Sequence, residues 1–554
     1  MRSSGSFSLV VGVLVFLGVL GLEASEISFA KEKAVPLHEA LGRHHFRIST
    51  DIPMAQRYFD QGMILMYGFN HAEAARSFQY AQKLDPTCAM CFWGEALVLG
   101  PNINAPMADS AVAKAWLAVE HARALANKAS EKEQLLIEAV AKRYAQEIVK
   151  DRSALDQAYA EAMRTVVKQF SDDPVIGALL AEALMDLHPW DYWTKEGTPQ
   201  SWTPEIVSTL ERVLDLNPNL PLGHHLYIHA LEASPHPEKA LSSAARLPAL
   251  VSGSGHLVHM PAHIYMRIGW YLAALVASQR AVRVDEEYLH HSHVESWYTA
   301  FYVPHNFHFL WAAAIKIGKY HIARQAAQEI AAKVSPESMR DSKFAGTFQH
   351  FWLMPLLTNA LFGQWDEVLQ EPTPPVDLVY PEGIRHYARG LAFLRQGKLT
   401  NAIRERDDLK NIVKDPAIAD LRIFHRNAIP DILKIAQAVL SAEIAAQDGD
   451  NATAVNHLHN AIELEDGLPY TEPEVWYLPP RQVLGAILLK TGKSAEAEQV
   501  YQKDLSHHPQ SGWSLFGLVQ SLQAQGKTQE AKTAKQAFNK AWEDSEVTLT
   551  SSRF

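Results

Sequence analysis

The sequence predicts an all-α solenoid of about twelve helix-turn-helix repeats wound into a right-handed superhelix. Three observations carry this: a glycine, aromatic and alanine turn that recurs along the chain, apolar residues at helical spacing around it, and a length beyond any single core. At 554 residues the chain is either multidomain or a repeat array. Its hydrophobic fraction of 47% is enough to bury a large core and argues against intrinsic disorder. The formal charge of 51 − 62 = −11 has the wrong sign for a basic nucleic-acid binder, so no nucleic-acid partner is expected. Two cysteines are too few for a disulfide scaffold, whereas histidine is plentiful at 26.

Residues 1–30 read as an export signal, with Arg2 as the positive start, an apolar run from Phe7 to Leu22 and small-residue exits at Ala24 or Ala30. That run is sixteen residues, short of the roughly 20 that span a bilayer; an uncleaved anchor is the alternative. Cleavage would leave no membrane span and a periplasmic or secreted protein, with residues 31–54 as a lead-in.

From Met54 to Thr87 the chain holds Gly62, Leu65, Ala74, Phe78, Ala81 and Pro86. The same turn returns in GWYLAA (Gly269, Tyr271, Ala274), GKYHIA (Gly318, Tyr320, Ala323) and GQWDEV (Gly363, Trp365), and again at Gly397, Gly449, Gly492 and Gly526. In these residues the sequence resembles the tetratricopeptide repeat (TPR) family. Aligning the turns puts repeat starts near residues 55, 89, 143, 177, 221, 255, 304, 349, 383, 435, 478 and 512. Residues 55–176 are then N-terminal repeats, 177–382 a central His-rich block, 383–546 C-terminal repeats and 547–554 a tail. Amphipathic stretches such as Glu131 to Glu147 read as helices although they fit the repeat less well. Insertions fall at Leu187 to Thr203, Leu289 to Val303, Lys333 to Phe348, Asp407 to Lys434 and Leu468 to Tyr477. The first two are rich in aromatic and ionisable residues and read as candidate lids.

The resemblance implies that the first helix of each repeat lines the concave groove through its second, fifth, ninth and twelfth positions. Nine histidines occupy such positions where chance predicts 48 × 26/554, a little over two. They are His188, His225, His229, His256, His259, His263, His305, His308 and His350, all in five consecutive repeats. Neutral imidazole is the commonest protein ligand for late first-row metals, and several must converge on one ion. His225, His229, His256, His259, His263, His305 and His308 are therefore the candidate ligands, for one ion or two, with His188, Tyr265, Met266 and His350 at the groove periphery. Few carboxylates accompany them, which favours Zn or Cu over Ca or Mg. Pro261 is expected to kink its helix or delay its start.

Cys88 and Cys91 sit at a helix start and read as a short structural disulfide in an exported protein, with a redox pair as the alternative. The turn segments Phe69 to His71 and Leu99 to Asn104 read as capping chemistry that could also face the groove. No HExxH, GxSxG, Walker or dinucleotide motif selects a reaction. The leading function is an exported TPR scaffold whose groove carries a transition-metal site. The alternatives are a metalloenzyme, hydrolase or oxidase, acting on a small molecule, or a groove for a peptide or protein without metal. In the enzyme, Glu232 or Asp191 would transfer protons, and Tyr265 with the Trp190 to Trp193 loop would wall the substrate.

Overall fold

The computed structural model describes residues 35–291 and 296–554. The predicted export signal lies outside the described residues, as do residues 31–34 of the lead-in and 292–295 of one aromatic insertion. A short unit ends at Pro36, and Leu37–Phe554 forms a second. All the helices of the array belong to that second unit.

Antiparallel pairs begin with α1 (Pro53–Tyr67) and α2 (His71–Leu84), α3 (Ala89–Val98) and α4 (Val112–Leu125), α5 (Glu131–Ala141) and α6 (Ser153–Gln169), and α7 (Pro174–Leu187) and α8 (Thr203–Leu216). The centre holds α9 (Pro221–Glu232) and α10 (Leu241–Leu250), α11 (Gly255–Arg267) and α12 (Tyr271–His291), and α13 (Val303–Lys316) and α14 (Tyr320–Ala332). An eighth unit splits its first helix into α15 (Ala345–Trp352) and α16 (Met354–Leu361) before α17 (Trp365–Gln370). Then come α18 (Val379–Arg395) and α19 (Leu399–Ile412), α20 (Ile429–Gln447) and α21 (Asn451–Gly467), α22 (Pro480–Lys490) and α23 (Ser494–His507), and α24 (Gly512–Ala524) and α25 (Thr528–Ala541). Among the described residues the only ladder is β1 (Arg422–Ile423) against β2 (Asn427–Ala428), antiparallel. No described helix is long and apolar enough to cross a membrane.

The recurring glycine has a backbone cause. Gly269, Gly318, Gly363, Gly397, Gly449, Gly492 and Gly526 all have φ between 69° and 89°, which lets the chain reverse between the two helices of a pair without a Cβ clash. The first pair makes the same reversal with Phe69 at φ 58°. Packing explains other small residues. A Cβ on Gly62 or Gly94 would lie 2.6 or 2.5 Å from the ring of Phe78, which is fully buried between them. Burying such a ring contributes about 1.5–3 kcal/mol.

Three parts of the sequence frame shift. The third pair begins at Glu131, not near residue 143, and its first helix stops at Ala141 rather than running on to Glu147. Residues 142–152 are held as a loop because Arg143 Nη2 reaches Asp186 at 2.6 Å and the Pro101 carbonyl at 2.9 Å. Pro355 splits the eighth unit, since it starts α16 and cannot donate a continuing hydrogen bond. Residues 547–554 are no free tail: Arg553 pairs with Glu443 at 2.8 Å and the Phe554 ring packs 5.6 Å from Trp513.

The array curls on itself, with α1 packed against α9. Helices α9, α11 and α13 stand side by side. Insertions reach across their groove: Asn104 donates to the Tyr302 hydroxyl, Arg426 to the Pro189 carbonyl and Tyr470 to Glu232. The groove of the central repeats is therefore an interior.

Candidate metal centre

Six histidines from α9, α11 and α13 meet in this interior. On α9 an i, i+4 spacing puts His225 and His229 on one face, their Nε2 atoms 3.1 Å apart. His256, from the first turn of α11, brings its Nε2 to 3.1 Å from that of His225. One turn on, His259 and His263 repeat the i, i+4 arrangement at 2.9 Å, and His305 of α13 closes a second triad. The ligand atoms of each triad lie within 4.8 Å of one another. Three imidazole nitrogens on one tetrahedral Zn or Cu, at about 2.0–2.1 Å from it, stand about 3.3 Å apart. The separations of 2.9 and 3.1 Å lie within about 0.4 Å of that value.

Glu232, at the end of α9, joins the two triads. Its Oε1 accepts from His229 Nδ1 and its Oε2 from His263 Nδ1, both at 2.6 Å. A carboxylate only accepts here, so both Nδ1 atoms carry the proton and both Nε2 atoms present lone pairs. The His256 carbonyl accepts from His259 Nδ1 and fixes that ring likewise. Pro261 lies inside α11, which runs through it without a break and starts on time at Gly255. Glu232 is completely buried, and burial opposes its charge, yet His263 and His229 hold it well below the usual carboxylate range.

Burial first, and then the charge of neighbouring rings, pushes His225, His256, His259 and His305 well below the ordinary imidazole value. Phe69 packs 4.7 Å from His225, and Phe309 4.3 Å from His263. His256 is set by its backbone as well: its N–H donates to Tyr298, whose hydroxyl donates to Asp285 at 2.7 Å. A Cβ on Gly255 would lie 2.0 Å from Asp285 Oδ1, so the close approach requires glycine.

Above the triads is a cavity of about 530 Å³. Its floor includes His229, His256, His263 and His305, and its walls combine aromatic residues such as Trp190, Phe301 and Tyr302 with charged ones such as Arg426 and Glu472. His305 alone among the six is part-exposed; the others are at most 1% exposed.

Several predicted site residues stand elsewhere. His308 leaves the cluster although its spacing of three from His305 is compatible with a shared face, because a distant partner claims it. Its Nε2 instead meets the Tyr477 hydroxyl at 2.8 Å, where His350 Nε2 also arrives at 2.6 Å. His188 follows the end of α7 in a non-helical conformation and stacks on Trp202 at 3.7 Å. Asp191 is exposed, its carboxylate accepts from Gln200, and it does not line the cavity. Glu232 lies behind the ligands and orients them. Tyr265 packs near Trp270, and neither it nor Met266 lines the cavity. From the Trp190 to Trp193 loop, Trp190 forms a wall 5.1 Å from His229, while Trp193 turns to the Ala230 carbonyl. Cys88 and Cys91 form a buried disulfide at the start of α3.

Sequence reasoning missed Tyr470, Glu472, Phe424 and Arg426, all on the cavity wall. The run GLPYTEPEVWYLPP, with its mix of aromatic and acidic residues, was the available signal for the first two.

The chain is an all-α repeat solenoid. No protein-family model matches it and no curated protein does. Among solved structures it is similar to a human IFIT1 dimer with m7Gppp-AAAA, at 13% identity and TM-score 0.33 over 89% of this chain and 91% of that one. The same human protein with PPP-AAAA gives 11% and 0.32 over 89% and 92%, and the P58(IPK) TPR domain 11% and 0.20 over 86% and 99%. These likenesses reach the helical architecture only, and the fold assignment rests on the chain's own helices.

Proposed function

We propose that this protein is an exported metal-binding scaffold that holds a pair of transition-metal ions, one in each histidine triad. The observation that carries the reading is the Glu232 clamp. One carboxylate fixes the tautomer of a ligand in each triad, so lone pairs from both converge in a dry site, the arrangement that orients metal-bound histidines elsewhere.

Charge favours copper over zinc. Metal-bound imidazoles are neutral ligands and Glu232 is the one carboxylate in contact with them, so two dications would leave three uncompensated positive charges in a buried site, and two monovalent cuprous ions only one. Imidazole suits Cu, and three nitrogens per ion leave a coordination position free. A bound pair would supply redox or Lewis-acid chemistry at the cavity floor. The chain's own part is to orient the rings, exclude water behind them and leave the cavity side open.

A metalloenzyme is the second reading, favoured by that cavity, which reaches ligands of both triads and has the size of a small-molecule site. Burial of the cluster weighs against a peptide lying across it. Export is supported by the sequence of residues 1–30 and by the disulfide, which an oxidising compartment maintains.

The test is metal analysis of protein purified without chelator, with anaerobic titration by Cu(I) and by Zn(II). The expected result is two equivalents of Cu(I) held tightly and Zn(II) bound more weakly. Less than one equivalent of either metal overturns the proposal.

A further inference from the structure

We infer that the cavity above the histidines binds a small aromatic carboxylate, with its ring between Trp190 and Phe301 and its carboxylate on Arg426. This deepens the proposed function, and rests on it only for what the ligand meets at the floor.

The first support is Arg426. It lines the cavity, yet no described carboxylate forms an ion pair with it. Its Nη1 donates to the Pro189 carbonyl at 3.3 Å, and its Nε is buried without a partner. Arg152 and Arg143 also leave a buried Nε without a partner, but each pairs with a carboxylate, Arg152 with Asp156 at 3.1 Å and Arg143 with Asp186 at 2.6 Å, while Lys150 lines the cavity as an exposed side chain. A half-buried guanidinium with unused donors is an anion site, and its planar fork matches a carboxylate.

The second support is backbone strain. Arg426 closes the turn between β1 and β2, and the two residues before it, Phe424 and His425, have φ of 52° and 57°. Residues 424–426 form a three-residue loop, and positive φ at two successive positions normally calls for Gly or Asn, so the aromatic Phe424 above all is held against its preference. The Thr347 hydroxyl accepts from Phe424 N–H at 2.8 Å, and the Ile423 carbonyl from Arg426 N–H at 3.0 Å. The strained turn delivers Phe424, His425 and Arg426 to the cavity together. Strain of this kind persists where the fold over-determines it, and it concentrates at ligand sites.

The third support is what the walls offer. Trp190 Nε1 is spent on Asn104 Oδ1 at 3.0 Å, and the Tyr302 hydroxyl accepts from the same Asn104 at 3.1 Å. With their polar ends occupied, these walls present ring faces and edges. Phe301 lies parallel to His305 at 6.3 Å, and Trp190 stands edge-on to His229, so a ring between them is led to the floor. Apart from Arg426 the cavity is lined by the acidic Asp156, Asp186 and Glu472 against the basic Lys150 and Arg152, a balance that favours a monoanionic carboxylate over a phosphate dianion.

The experiment is calorimetric titration of metal-free and Cu-loaded protein with 4-hydroxybenzoate, phenol and phenyl phosphate. Binding of 4-hydroxybenzoate to both forms at least tenfold more tightly than either other probe is expected. Arg426→Gln should bring its affinity down to that of phenol and leave phenol unchanged, with the melting temperature reporting that the variant folds. Phe301→Met should weaken 4-hydroxybenzoate and phenol alike, which keeps the proposal testable if the arginine variant does not fold. Equal affinity for the three probes, no binding of 4-hydroxybenzoate, or an unaffected Arg426→Gln overturns the inference. Because the metal-free protein is titrated separately, failure of the metal reading would leave this result standing on its own.

Discussion

The Nε2 atoms of His259 and His263 stand 2.9 Å apart. His259 commits its Nδ1 proton to a backbone carbonyl and His263 commits its own to Glu232, so in the neutral rings two lone pairs face each other. A cation accepting from both nitrogens turns that repulsion into attraction.

The first prediction concerns the carboxylate behind the ligands. Glu232→Ala removes the acceptor of both Nδ1–H groups. Competition titration should find affinity at both sites reduced 10- to 100-fold, the usual effect of losing a ligand's orienting partner. Loss at one triad alone would mean that Glu232 does not couple them.

His305 and His308 separate ligand from neighbour. His305→Ala should lower copper stoichiometry from two toward one, since His305 completes the second triad. His308→Ala should leave stoichiometry at two and affect stability only, because it empties a hydrogen bond to Tyr477. Reversed outcomes would place the second ion in the wrong pocket.

A third prediction is a pH dependence far from the cluster. His508 lies between Glu474 at 2.7 Å and Asp504 at 3.1 Å, with Lys316 also paired to Glu474. Burial opposes its charge, but Glu474 and Asp504 outweigh burial and push the imidazole up to about 10. A raised value means that the protonated ring stabilises the fold fully below pH about 6.5, a contribution lost as pH rises to about 10. Asp504, held down to about 2, contributes above its usual range and loses that contribution in acid. Denaturant midpoints of metal-free protein should therefore fall between pH 6.5 and 10, and His508→Gln should flatten that limb. An unchanged limb would assign it to other groups.

At Gly255 the expected cost is steric. Gly255→Ala forces a methyl against Asp285, and overpacking of this kind costs about 1–3 kcal/mol. A lower melting temperature should accompany weaker binding in the first triad, because Asp285 positions His256 through Tyr298.

Legibility in the sequence depends on range. The seven pairs from α11 and α12 onward each carry their own turn glycine, and Gly269 or Gly492 signals a reversal from a few adjacent residues. His225 with His229 and His259 with His263 are i, i+4 neighbours, so their shared face needs only helical geometry. His308 reads as a ligand in the sequence because its true partner, Tyr477, lies 169 residues away, and nothing local draws it from His305. Arg426 and Tyr470 reach the site from insertions that no repeat frame constrains. The loop after α5 is fixed by Arg143 and Asp186, a long-range pair invisible to periodicity.

The most direct test of the central claim is a crystal structure of copper-loaded protein with anomalous data at the copper edge. The account predicts two peaks, one about 2 Å from the Nε2 atoms of His225, His229 and His256 and one equally close to those of His259, His263 and His305. A single peak, or none within reach of both triads, would contradict it.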